Sequence, residues 1–158
     1  MSEEFYAKES RKPREKMKRK TKSPQKKPVR ELATPSKGAT LKLNGHSLVI
    51  PPGAVDKDQW FTLEEPPSDF IRVTITAEEM ATYVFKGSKP VELTLSYADK
   101  ENGKWKEVYI YETDLQGEPL PSAPPLGGSK NPPGMFTKKV QGHLRHLSGY
   151  IVSGGRAE

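Results

Sequence analysis

The feature that most limits what this chain can fold into is a two-residue hydrophobic alternation, repeated in short runs. Val91, Leu93, Leu95 and Tyr97 fall on one side of an extended chain, with Glu92, Thr94 and Ser96 on the other. Successive side chains of a strand point to opposite faces, so this run predicts a half-buried strand. The same period appears in Leu41 and Leu43, in Leu48 and Ile50, and in Ile71, Val73 and Ile75 with Arg72 and Thr74 opposite. Further strands are predicted from Trp105 to Tyr111, from Phe136 to Val140 and from Leu144 through Val152. Tyr109 and Tyr111 share a face there, as an aromatic strip or as packing, and packing fits better.

Turn chemistry separates these runs. Asn44-Gly45 is a strong two-residue hairpin signal. Pro51-Pro52-Gly53 ends a strand, since proline donates no ladder hydrogen bond and glycine allows the sharp turn that follows. Asn102-Gly103 marks another turn, and Pro119 to Pro133 predicts a long loop. Helical signals are few. Thr76-Ala77-Glu78-Glu79 has the capping-box pattern and predicts one helical turn. Six or more short strands without a longer repeat predict an all-β chain, an antiparallel β-sandwich.

Charge divides the chain unevenly. Residues 1–38 carry 13 Lys/Arg against 5 Asp/Glu, a net of +8, whereas residues 39–158 carry 13 against 15, a net of −2. From Glu9 to Lys37 the sequence is charged, proline-punctuated and poor in large apolar residues, and such a stretch cannot repay the entropy of ordering by itself. The expected organisation is therefore an extended basic N-terminal arm over residues 1–37, disordered unless bound. A sandwich follows over residues 38–153, and a tail over 154–158. The cations expected to meet a polyanion or an assembly are Lys16, Lys18, Arg19, Lys20, Lys22, Lys26, Lys27 and Arg30. A lysine-rich segment of this kind attracts polyanions by counterion release and reads no base sequence, so nucleic-acid binding through it would be non-specific.

Other chemistries find little support. There is no cysteine, which removes disulfides and thiolate ligands. No run reaches the ~20 apolar residues of a membrane-spanning helix. The N-terminus shows no secretory signal, so a cytoplasmic or virion-associated location is expected. His143 and His146 are read as opposite faces of one strand, and His46 as a hairpin residue, so no metal site is expected. The acidic pairs Glu64-Glu65, Glu78-Glu79 and Asp56/Asp58 fall at turns, where adjacent carboxylates are normally solvated. No glycine-rich phosphate loop occurs, and no cofactor or small-molecule substrate is expected.

Three stretches carry a family resemblance. They are Gly38-Ala39-Thr40-Leu41 running on to Leu48-Val49-Ile50-Pro51-Pro52-Gly53-Ala54-Val55, then Phe85-Lys86-Gly87-Ser88-Lys89-Pro90-Val91-Glu92-Leu93-Thr94-Leu95-Ser96-Tyr97, and His146-Leu147-Ser148-Gly149-Tyr150-Ile151-Val152. Together they resemble the ZU-five domain of ankyrins, netrin receptors and zonula-occludens proteins, and especially its bacterial and phage-type relatives. The resemblance implies a β-sandwich used for protein–protein contact, without enzyme activity. Some relatives cleave themselves at a His-Phe-Ser sequence. Carried over, Ser148 would be the nucleophile, His146 its helper and Leu147–Ser148 the scissile bond, although leucine replaces phenylalanine here.

The expected function is thus a non-enzymatic structural or interaction module that docks onto a larger protein assembly, or onto its own copies, through the basic arm. Small β-modules with basic arms recur in virion shells, so a virion decoration or minor capsid protein is the expected setting. The alternatives are a self-cleaving module at Leu147–Ser148 and a protein-binding adaptor with a passive tail.

Overall fold

In a computed structural model of the chain, the residues described are 14–18, 27–78, 83–97, 108–114, 118–120, 126–129, 139–147 and 149–156. They are all-β, in eleven strands: β1 (Arg14–Lys16), β2 (Val29–Ala33), β3 (Ala39–Leu43), β4 (His46–Ile50), β5 (Gln59–Glu64), β6 (Arg72–Ala77), β7 (Val91–Ser96), β8 (Val108–Thr113), β9 (Gly127–Ser129), β10 (Lys139–Leu144) and β11 (Gly149–Arg156). Every pairing is antiparallel, in the order β2-β5-β6-β11-β8-β9-β10-β7-β4-β3, with β1 added beside β11.

The ladder folds back on itself as a sandwich. One layer runs from β2 to β8 and the other from β10 to β3, with the short β9 passing between β8 and β10. Alternation explains the core. Leu41, Leu43, Leu48 and Ile50 from one layer meet Phe61, Leu63, Val73 and Ile75 from the other, and all are buried. At the expected hairpin, Asn44 and Gly45 both take positive φ, 52° and 86°, as a two-residue turn between strands demands.

Three expectations need correction. The boundary at residue 38 is misplaced, because β1 and β2 lie within the stretch read as a disordered arm. Met17 is completely buried, its N–H donating to the Val152 carbonyl and its carbonyl accepting from Ile71 N–H, both at 3.0 Å. β2 pairs with β5 from Val29 opposite Leu63 to Ala33 opposite Gln59. The arm's few apolar residues borrow a core that the rest of the chain builds, which composition by itself does not reveal. Likewise residues 154–156 belong to β11 rather than to a tail.

Second, Thr76 and Ala77 continue β6 instead of opening a helix, and Glu79 lies outside the described residues. Third, the long loop carries β9, and Leu144 ends β10 rather than opening the last strand. His143 therefore sits on β10 and His146 in the connection that follows it. The strand β5 was not anticipated at all.

Candidate functional site

The three stretches that carry the family resemblance meet at one end of the sandwich. Gly38 turns at φ 65° so close to β4 that a Cβ would fall 1.9 Å from the Ile50 carbonyl oxygen. Gly53 N–H donates to the Pro35 carbonyl, and Lys86 N–H to the Ala54 carbonyl, each at 2.8 Å. Gly87 packs over Gly53, where a Cβ would meet its carbonyl oxygen at 2.9 Å. Phe85 N–H donates to the Arg145 carbonyl, and Val84 bridges His146. Beneath them Phe61, Tyr83 and Phe85 form a ring cluster with centroids 5.3–5.6 Å apart. Lys86 pairs with Asp56 at 2.6 Å on the surface and holds that carboxyl below its ordinary range. These contacts bind loop to loop, an architectural role for the motifs.

The opposite end holds a pair that sequence reasoning missed. His46 opens β4 with its ring buried, and Glu65, read as solvated, is buried against it with Oε2 2.8 Å from His46 Nε2. His46 Nδ1 lies 2.9 Å from the Ser96 backbone N–H, which can only donate. The proton therefore resides on Nε2 and is donated to Glu65. Asn44 Nδ2 also donates to Glu65, at 3.3 Å. A carboxylate–imidazole pair is a familiar catalytic unit, but here the basic nitrogen is occupied by backbone. The pair is a clamp between the β3–β4 turn, the end of β7 and the segment after β5. One signal was available: His46, Leu48 and Ile50 share the inward parity, so His46 was due to be buried and to need a partner.

The connection that the alternative, self-cleaving reading singles out is tied down in its described part. His146 Nε2 is 2.6 Å from Glu112, the His146 carbonyl accepts the Tyr150 hydroxyl at 2.6 Å, and Leu147 N–H donates to the Tyr83 carbonyl. Burial pushes the Tyr150 phenol well above its ordinary range, and the Glu112 carboxylate adds to that shift. Ser148 lies outside the described residues. His143 stands by Glu92 at 3.9 Å, so the two histidines serve different carboxylates. Among the described residues no three His, Asp or Glu side chains converge as a metal site.

The arm's cations divide into two kinds. Lys16 stands over the Phe70 ring, 4.2 Å from its centroid, and pairs with Glu118 at 2.6 Å. Arg30 stacks on Trp60 at 3.9 Å and pairs with Glu78. Both are tied into the fold. Lys18 and Lys27 are exposed, while Arg19, Lys20, Lys22 and Lys26 lie outside the described residues.

Tyr109 and Tyr111 pack against each other at 6.0 Å. Tyr111 is opposite Ile151, on the face turned away from Ile110 and Val152, and both Tyr111 and Ile151 are buried. The centre of that layer is thus covered on both sides, in keeping with packing rather than an open aromatic strip; Trp105 lies outside the described residues. No helix among the described residues is long and apolar enough to cross a membrane.

Comparison with known proteins adds no relative: no protein-family model, no curated protein and no solved structure matches this chain.

Proposed function

We propose that the protein is a non-enzymatic β-sandwich module that attaches electrostatically to a larger assembly, with a virion shell as the setting and a ZU-five-like body as the scaffold. One observation carries this reading: residues 18–27 hold six Lys/Arg and no acidic residue, beside a body of net −2. Lys16 and Arg30 are spent on partners within the fold, whereas Lys18 and Lys27, at the two ends of the cationic stretch, face solvent. The meeting of the three resemblance-bearing stretches at one end of the sandwich supports the family reading, because it gives each motif a packing reason. The capped imidazole of His46 favours a structural over a catalytic use of the buried dyad.

The test is to replace Lys18, Arg19, Lys20, Lys22, Lys26 and Lys27 by glutamine in the full chain and measure salt elution from an immobilised polyanion such as heparin. Elution of the variant at much lower salt, with unchanged thermal unfolding, is the expected result. Equal retention of both proteins would refute electrostatic attachment through this segment.

A further inference from the structure

Of the 3 histidines, His146 is the one whose ring is both held and open. His46 is buried, and its Nδ1 takes the Ser96 N–H. His143 is exposed, but its 3.9 Å separation from Glu92 is beyond hydrogen-bond reach, so nothing there orients the ring. His146 Nε2 lies 2.6 Å from Glu112 Oε1, with the His146 side chain 52% exposed and that of Glu112 18%. A carboxylate only accepts, so in the neutral ring the proton sits on Nε2 and the lone pair on Nδ1. That Nδ1 has no partner in the fold and stands at the surface.

The backbone under the ring is held as well. Leu147 N–H donates to the Tyr83 carbonyl and Phe85 N–H to the Arg145 carbonyl, which brackets Val84 and His146 as a directly opposed pair. Side chains of such a pair share a face, with Cα atoms about 4.5 Å apart. Val84 is 65% exposed, the most open large apolar side chain among the described residues. The Tyr150 hydroxyl ties down the His146 carbonyl.

We propose that His146 is an acyl-acceptor site, whose Nδ1 takes an acyl group from activated, uncharged esters. An imidazole oriented by a carboxylate, with its second nitrogen bare, is a preorganised nucleophile. Two features select the electrophile. The Glu112 carboxylate at the ring disfavours anionic donors such as phosphoryl compounds, and Val84 offers an aryl or alkyl group an apolar surface beside the attacking nitrogen. In the reaction the Nδ1 lone pair bonds to the ester carbonyl carbon, and the leaving oxygen departs with the electron pair of the broken C–O bond. Glu112 faces the positive charge this places on the ring. Water then adds to the acyl carbon, the N–C electron pair returns to Nδ1, and the carboxylic acid and one proton are released. The site shares no residue with the cationic segment, so it stands or falls apart from electrostatic attachment. It differs also from self-cleavage, in which the ring would serve Ser148 rather than an outside ester.

The experiment treats the full chain with para-nitrophenyl acetate near neutral pH, follows nitrophenolate release, and locates the acetyl group by mass spectrometry after an acid quench. Acetylation of His146 at least about tenfold faster than of His143 is expected, with that signal lost in His146→Gln and unchanged in His143→Gln. Glu112 is a positioning residue. Glu112→Ala should slow acetylation and mix the two tautomers of His146 in nitrogen NMR, a change that a merely structural Glu112 would not produce. Glu112→Gln, which keeps an acceptor for Nε2, guards against loss of folding and should retain the Nε2 proton while acetylating more slowly than the parent. Equal acetylation of the two histidines, an unchanged rate in both folded Glu112 variants, or acetyl found on Ser148 overturns the acceptor assignment. Labelling of His146 by phosphoramidate in preference to the ester overturns the choice of electrophile.

Discussion

His46 Nε2 and Glu65 Oε2 lie 2.8 Å apart with both side chains almost sealed from water, 3% and 2% exposed. The Ser96 backbone N–H fixes which nitrogen is protonated, so the ring donates to the carboxylate. Nineteen residues and a change of layer separate the two partners, and the contact ties the β3–β4 turn to the end of β5.

Removing one member of such a pair strands the other. Glu65→Ala is expected to cost about 3–5 kcal/mol in urea unfolding, because a buried N–H loses its acceptor. Glu65→Gln keeps an oxygen for Nε2 and should cost clearly less. A loss under ~1 kcal/mol for Glu65→Ala would mean the clamp is dispensable.

The tautomer can be observed directly. Nitrogen NMR of labelled histidine should show His46 with its proton on Nε2 and bare Nδ1 at neutral pH. A signal from protonated Nδ1 contradicts the Ser96 contact.

Met17 is expected to behave as a core residue. Met17→Ala should destabilise by about 2–5 kcal/mol, and deletion of residues 1–37, which also strips β2 from β5, should abolish cooperative unfolding. A truncated chain that melts like the whole protein would restore the picture of a detachable arm.

Tyr150 predicts an alkaline limit. Its phenol titrates higher in the fold than its ordinary 10.0, so folding favours the neutral form. The sign follows: the contribution is complete below pH ~10 and is lost as pH rises above it, where the unfolded chain ionises first. Tyr150→Phe should cost about 1 kcal/mol near neutrality through the lost bond to the His146 carbonyl, and should flatten the fall in stability above pH ~10. An identical alkaline profile in the variant would assign that fall to other groups.

Gly38 and Gly127 are positions where a methyl group has no room. A Cβ at either would lie 1.9 Å from a backbone carbonyl oxygen, of Ile50 and Gln141 respectively. Alanine at each should lower the melting temperature by several degrees or more, corresponding to about 1–3 kcal/mol of overpacking. Gly53→Ala meets nothing within 4 Å and pays only for its φ of 87°. Similar losses at all three positions would dismiss the steric account.

Much of the fold was legible because one face of most strands is buried. Leu41 through Ile50, Ile71 through Ile75 and Val91 through Tyr97 write that face into the sequence, and Asn44-Gly45 fixes one register. What stayed hidden has physical reasons. In β5, Phe61 and Leu63 point inward, but Trp60 on the other face and the adjacent Glu64-Glu65 blur the alternation. β9 is Gly-Gly-Ser and exists through its neighbours' hydrogen bonds. β1 and β2 contribute backbone pairing and a few apolar side chains to a core made elsewhere. The His46–Glu65 clamp depends on which strands become neighbours, which local sequence does not state.

The position of β11 bears on how the molecule is made. Residues 149–156 supply the middle partner for β1, β6 and β8, so the layer cannot close while that segment is still inside the ribosome. Final assembly is thus expected after synthesis has passed it, from a nascent chain whose earlier strands wait with unsatisfied borders, and slow synthesis offers little head start.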